Sequence, residues 1–187
     1  MKKIGITGSL ASGKTTACRL LSYKKGPFFS ADSSVKQLYK KNLLKKILYK
    51  KFQIKKNLNL KKEMREKVLN SKSNLIRLEK ILHPLVRKEM NKFINTNKNK
   101  KLLFFEIPLL IENNLMKKFD YIIFIKAKKS IRLKRFKKKG GSPKLFNLLN
   151  SKQLNDKKKI KFSDYTITNE KNLEYLKKKI LHMSKKL

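Results

Sequence analysis

The sequence predicts an α/β fold: a parallel, roughly five-stranded sheet in three layers, with helices on both faces. Three observations predict it. Short apolar runs of strand length alternate with stretches of helical periodicity. A turn bounded by glycines joins the first strand to the first helix. A long lysine-rich stretch in the middle of the chain shows helical spacing and no strand, as an inserted subdomain would.

Taken in order, Lys3–Thr7 reads as a short buried strand, and Lys14 to about Tyr23 as a helix with Ala17, Leu20 and Leu21 on one side. Gly26-Pro27 ends it. Phe28-Phe29 occupies the place of a second strand, and a helix carrying Val35, Leu38 and Tyr39 starts at or beside Asp32. From Asn42 to about Asn97 the pattern is helical, with Pro84 marking a start or kink near His83. Leu102–Glu106 and Tyr121–Ile125 are strands, and Pro108–Leu115 between them is a loop with a short helix. Lys129–Lys139 is a basic helix broken by Gly140-Gly141-Ser142-Pro143. A helix over about Lys144–Lys161, a strand at Tyr165–Thr168 and a closing helix over Leu173–Lys185 complete the chain. The expected organisation is one domain over 1–187 with a helical insertion over about 42–97.

Gly8-Ser9-Leu10-Ala11-Ser12-Gly13-Lys14-Thr15 meets the pattern G-x-x-x-x-G-K-[ST] in full, between a strand and a helix. Each part has a physical purpose. Gly8 and Gly13 permit backbone angles that turn amides inward around a phosphate, and Ala11, Ser12 and Thr16 complete the cradle. The helix N-terminus adds partial positive charge. Lys14 reaches the β and γ phosphates, and the Thr15 hydroxyl suits Mg²⁺. The loop therefore points to a nucleoside triphosphate with Mg²⁺.

The 187 residues carry 51 Lys and Arg against 12 Asp and Glu, a formal net charge of +39, yet 40% are hydrophobic, enough to bury a core. The charge raises the possibility of a nucleic-acid binder. Its distribution argues against a dedicated one. Arginine appears only at Arg19, Arg65, Arg77, Arg87, Arg132 and Arg135, and lysines run from Lys2 to Lys186 without forming one patch. Compositional drift, enriching Lys, Asn and Ile together, accounts for this better, and weak, nonspecific nucleic-acid binding follows in either case. The single Cys18 excludes an internal disulfide and fits a reducing compartment. With two histidines and one cysteine, a structural zinc site is excluded. No apolar run approaches a membrane span and no leader is evident, so a cytoplasmic protein is expected, as a monomer and without a membrane partner.

Five segments in order carry a more specific signal. They are Gly5–Thr16, Ser30-Ala31-Asp32, His83-Pro84-Leu85-Val86, Pro108-Leu109-Leu110-Ile111-Glu112-Asn113, and a tail from Gln153 to Ser163–Asn169. In this set and order the chain resembles the dephospho-coenzyme A kinase family over nearly its whole length. The resemblance implies transfer of phosphate from ATP, with Mg²⁺, to the ribose 3′-hydroxyl of dephospho-coenzyme A. It also implies that 42–97 is a substrate domain and 137–161 a lid.

The resemblance marks Asp32 as base or hydroxyl-orienting group, although a helix N-cap would also use that residue. It makes His83 a substrate contact, where a structural histidine is the plainer alternative. Glu106 at a strand end suits a water-mediated hold on Mg²⁺, and Glu112 suits orienting the substrate. Arg135 matches a phosphate-contacting arginine of the family, the alternative being a solvated helix face. The chain departs from the family pattern at Ser9 and Ala11, where glycine is favoured, at Ser30, where an aspartate is common, and at Asp156, where an arginine is usual. Asp156 is expected to face outward, since a carboxylate turned inward would repel phosphate. Two other readings stay open: a nucleoside or nucleotide kinase on the same scaffold, and a basic nucleic-acid-binding protein with a nucleotide site.

Overall fold

The computed structural model describes residues 1–187. Five strands, β1 (Lys2–Gly8), β2 (Phe28–Ser30), β3 (Leu102–Glu106), β4 (Tyr121–Lys126) and β5 (Tyr165–Thr168), form one sheet in the order β2-β3-β1-β4-β5. Every pairing is parallel. All carboxyl ends therefore lie along one edge, where open α/β sheets bind ligands.

The central strand shows why this segment forms a strand. Ile4 and Ile6 are fully buried and share a core with Ala17, Cys18 and Leu21 of α1 (Lys14–Ser22) and with Leu176, Ile180 and Met183 of α9 (Leu173–Ser184). Gly5 turns to the other face, where a Cβ would meet Leu110 at 2.7 Å and Phe119 at 3.0 Å. Phe119 also lies against Phe105, with ring centroids 5.4 Å apart. The leucines after β3 are thus packing residues, and Leu110 is fully buried. Burial on both faces explains why these strands read as near-continuous apolar runs.

The remaining helices of the sheet-containing unit are α6 (Lys129–Lys138), α7 (Pro143–Ser151) and α8 (Asp156–Lys161). The single helix expected over 144–161 is two, separated at 152–155. The physical reason is at α8's start, where the Asn155 side chain caps a new helix by accepting from the Lys158 amide at 2.8 Å. Ser142 caps α7 the same way, with Pro143 in the first turn. Asp164 ties β5 to its neighbour: its carboxylate accepts from the Ile122 amide at 2.7 Å, and its own amide donates to the Ile122 carbonyl.

The chain divides into two compact units, Met1–Ala31 with Ile94–Leu187, and Asp32–Phe93. The second unit carries most of α2 (Ala31–Leu38), all of α3 (Asn42–Phe52) and α4 (Leu60–Asn70), and most of α5 (Lys72–Thr96). It has its own core, in which Leu38, Leu44, Leu48, Phe52, Met64 and Leu82 are buried. Pro84 lies inside α5 and is exposed, and the helix runs through it, so Pro84 starts no helix.

Candidate active site

β1 ends in the loop Ser9–Gly13, and α1 begins immediately after it. Gly13 is the residue before α1 and is left-handed, with φ 95°. A Cβ there would lie 2.2 Å from Asn169 Nδ2, so glycine is needed both for its conformation and for the close approach. At Gly8 a Cβ would meet the Ile125 carbonyl at 2.5 Å and Ser12 Oγ at 2.7 Å. Ala11 is left-handed as well, with φ 59°. An alanine in this region carries a steric cost of about 1–2 kcal/mol.

No side chain caps α1, and its first turn holds no acidic residue. Its N-terminal amides and partial positive charge are therefore left for an anion. The Lys14 ammonium donates to the Ser9 carbonyl at 3.1 Å and is buried. Ser12 Oγ is buried inside the loop with no hydrogen-bond partner. A buried hydroxyl without a partner is costly unless a ligand satisfies it, and an anion would.

Beside the loop, the buried carboxylate of Glu106 accepts two hydroxyl hydrogen bonds. Thr15 Oγ1 donates to Oε1 at 2.5 Å, and Ser30 Oγ donates to Oε2 at 2.7 Å. The register dictates the second contact, because Ser30 and Glu106 are paired positions on β2 and β3. Thr15 remains exposed at the start of α1 while Glu106 is only 1% exposed. Hard oxygen donors in this arrangement fit Mg²⁺, which takes one or two protein groups and completes its shell with phosphate and water. No group of three or more His, Cys, Asp or Glu side chains gathers to hold a metal, so the chain builds no cage of its own.

Long-range contacts secure the loop from behind. Asn169 Nδ2 donates to the Ser12 carbonyl at 2.8 Å. Arg135 Nη1 donates to the carbonyls of Asn169 at 3.0 Å and Ser12 at 3.4 Å. Arg132 is buried and donates to the carbonyls of Ala127 at 3.1 Å and Leu10 at 3.3 Å, and to Asn150 Oδ1 at 2.7 Å. Burial pushes its guanidinium below the ordinary range, and the Asp156 carboxylate pulls it back. Gln153 Oε1 accepts from the Leu10 amide at 2.9 Å. Asp156 does not face outward as expected: its Oδ1 accepts from Ser9 Oγ at 2.6 Å, and the side chain is half-buried. A hydroxyl donor and a neighbouring guanidinium stabilise the inward carboxylate, which the expectation did not count.

Of the other expected residues, Thr16 is exposed in the first turn of α1. Asp32 is exposed in the first turn of α2, directly after β2. His83 is half-buried within α5, and its carbonyl accepts from Arg87 Nε at 3.4 Å. Glu112 turns to the segment after α7: its Oε1 lies 2.7 Å from the fully buried Lys159 ammonium and accepts from the Leu154 amide at 3.1 Å. Lys159 Nζ is out of line for a hydrogen bond, so this contact is chiefly ionic, and Glu112 Oε2 is buried with no partner. Cys18 is buried in the core, and burial, reinforced by the charge of Glu106, raises its thiol pKa far above the ordinary value. It stays protonated and inert, the packing residue its place in the helix suggests. Sequence reasoning passed over Asn169, Gln153, Arg132 and Ser30 as site residues. Asn169 and Gln153 lie in the landmark tail and Arg132 is one of six arginines, so each left a mark, but their contacts span more than 100 positions.

A strand, an anion-binding loop, a buried carboxylate beside the loop threonine, and a parallel sheet of this order define a P-loop kinase. The crystal structure of TT1252 from Thermus thermophilus has the same fold, with a TM-score of 0.80 and 24% identity over all of this chain and 97% of that one. The family model described as dephospho-CoA kinase matches residues 2–174. The dephospho-CoA kinase of Bartonella henselae is 35% identical over 192 residues, covering all of this chain and 98% of that protein. That of Bartonella quintana is 36% identical over 179 residues, covering 93% of this chain and 92% of that protein. The chain belongs to the dephospho-CoA kinase family.

Proposed function

We propose that the chain transfers the γ-phosphoryl group of ATP to the ribose 3′-hydroxyl of dephospho-coenzyme A, giving coenzyme A. The observation that carries the transfer chemistry is the uncapped α1 N-terminus with the Thr15–Glu106 pair at its mouth. Family membership carries the choice of acceptor. Loop amides between Gly8 and Thr16 other than those of Leu10 and Ser12, which are bonded within the protein, bind the phosphates with Lys14 and stabilise charge as it moves toward the leaving oxygen. Thr15 and Glu106 would hold Mg²⁺, whose role when bound is to neutralise the phosphate oxygens. Glu106, already bonded to Thr15, keeps that hydroxyl aimed.

Asp32 is assigned to accept the proton of the attacking hydroxyl or to orient it. His83 is assigned to bind the acceptor with the helices of 42–97, and 137–161 to act as the lid that excludes water. Arg135 supports the loop through Ser12 and Asn169, which places a guanidinium beside the phosphate-binding backbone. Glu112 anchors α8 with Oε1, and its buried, unpartnered Oε2 is assigned to a substrate donor that would have to reach it. The protein is assigned to the cytoplasm as a monomer; no helix is long and apolar enough to cross a membrane.

The test is a coupled assay with ATP, Mg²⁺ and dephospho-coenzyme A, run beside nucleoside monophosphates. Turnover is expected only with dephospho-coenzyme A. Phosphorylation of a nucleoside monophosphate with dephospho-coenzyme A untouched would overturn the assignment and support the kinase alternative.

A further inference from the structure

Ser9 and Asp156 are two of the positions where the chain departs from the pattern of its family. They are 147 residues apart in sequence, yet Ser9 Oγ donates to Asp156 Oδ1 at 2.6 Å. Two departures that look independent along the chain are one contact in the fold. A glycine at position 9 would offer the carboxylate nothing to hold, and an arginine at 156 would offer the serine no acceptor.

The contact leads to the site through one further atom. Ser9 is only 2% exposed, and its carbonyl accepts both the Lys14 ammonium at 3.1 Å and the Ser12 amide at 3.1 Å. Whatever fixes Ser9 therefore bears directly on where the Lys14 nitrogen rests and how the loop closes. The next residue is held from the same side, since Gln153 accepts from the Leu10 amide and Arg132 donates to the Leu10 carbonyl. The segment that supplies Gln153 and Asp156 is itself anchored by Lys159 on Glu112 and by the Leu154 amide on Glu112.

We propose that Asp156 is a positioning residue for phosphoryl transfer: through Ser9 it sets the phosphate loop and the resting place of the Lys14 ammonium. The proposal deepens the kinase reading given above and rests on it for the reaction. Its effect on nucleotide affinity is measurable whatever the acceptor.

The experiment measures Mg²⁺–ADP binding by calorimetry and ATP steady-state kinetics on the full chain. The variants are Asp156→Leu, Asp156→Asn, Ser9→Ala, Asp156→Arg and the double variant Ser9→Ala/Asp156→Leu. Asp156→Leu and Ser9→Ala are each expected to weaken ADP binding by about tenfold, the scale of a hydrogen bond to a charged acceptor, and to raise the KM for ATP in parallel. Asp156→Asn keeps an acceptor oxygen and should stay within about threefold of wild type. The double variant should lose no more than either single variant, because both remove the same bond. ADP affinity unchanged by Asp156→Leu, or losses that multiply in the double variant, would overturn the clamp. So would Asp156→Arg turning over faster than wild type, which would return the position to lid chemistry. If Asp156→Leu fails to fold, Ser9→Ala decides alone, since it removes one oxygen. Absent turnover of dephospho-coenzyme A by wild type would sink the kinase reading while leaving the ADP result to judge the clamp.

Discussion

Gly13 shows how little freedom the loop leaves a single residue. Its left-handed backbone and its 2.2 Å clearance to Asn169 act against the same methyl group. Gly13→Ala is expected to cost about 1–3 kcal/mol in urea unfolding and to abolish measurable ADP binding, because the first amides of α1 must move. Ser30 fixes the carboxylate beside the loop, because its hydroxyl donates to Glu106 Oε2 at 2.7 Å. Ser30→Ala should raise the Mg²⁺ concentration needed for half-maximal ADP binding by about threefold to tenfold, the scale of one hydrogen bond to a carboxylate. An unchanged Mg²⁺ titration would remove Ser30 from that role. Asp32→Asn should lower kcat by about a hundredfold or more while ADP affinity stays within about twofold, as expected of a group that meets only the acceptor. Unaltered turnover would leave Asp32 as a helix-start carboxylate.

Among the elements, α8 is the one whose role changed most between sequence and structure. It is six residues long, too short to stand on propensity. Asn155 caps it, and Lys159 buries its whole side chain against Glu112 at 2.7 Å. A buried ion pair is weak evidence of net stability, but removing one partner leaves the other charge stranded. Glu112→Gln is therefore expected to destabilise the protein by about 3–5 kcal/mol, a fall in Tm of about 6–20 °C for a chain of this length. The pair Glu112→Leu with Lys159→Met should recover most of that loss. A Glu112→Gln protein as stable as wild type would mean that water reaches the Lys159 ammonium. The element's existence was legible as helical spacing, and its break from α7 was not. The break follows from the Asn155 cap and the contacts of Gln153 and Asp156 with the loop, which bind the chain at 153–156 away from a continuous helix.

For the whole molecule, the net charge of +39 is a cost that the fold must absorb. With 51 Lys and Arg against 12 Asp and Glu, most cations cannot have a carboxylate partner, although some do, as in Lys41–Glu89, Lys128–Glu170 and Lys159–Glu112. Unpaired like charges repel, and salt screens them as the Debye length falls from about 30 Å at 0.01 M to about 10 Å at 0.1 M. The Tm is expected to rise by several degrees over that range, where about 2–4 °C corresponds to 1 kcal/mol at this chain length. A flat or falling Tm would show that the charges are already balanced by bound anions. Binding to RNA or DNA should likewise be weak and lost by about 200 mM salt. Selective binding that survives would revive the nucleic-acid reading.

The sequence alone determined the strands, the bounds of α1, α6 and α9, the phosphate loop and the family. The strands, helices and loop are local signals, namely apolar runs, helical spacing and a contiguous motif of eight residues, and the family is read from the order of five such segments along the chain. Only the tertiary structure decided what stands behind the loop. Ser30 meets Glu106 because β2 and β3 pair in that register, Arg132 and Arg135 grip the loop carbonyls from α6, and Asp156 turns inward to Ser9. Those contacts join residues 76 to 147 positions apart, and a side chain's partner at that distance is set by strand order and packing, which no window of sequence contains.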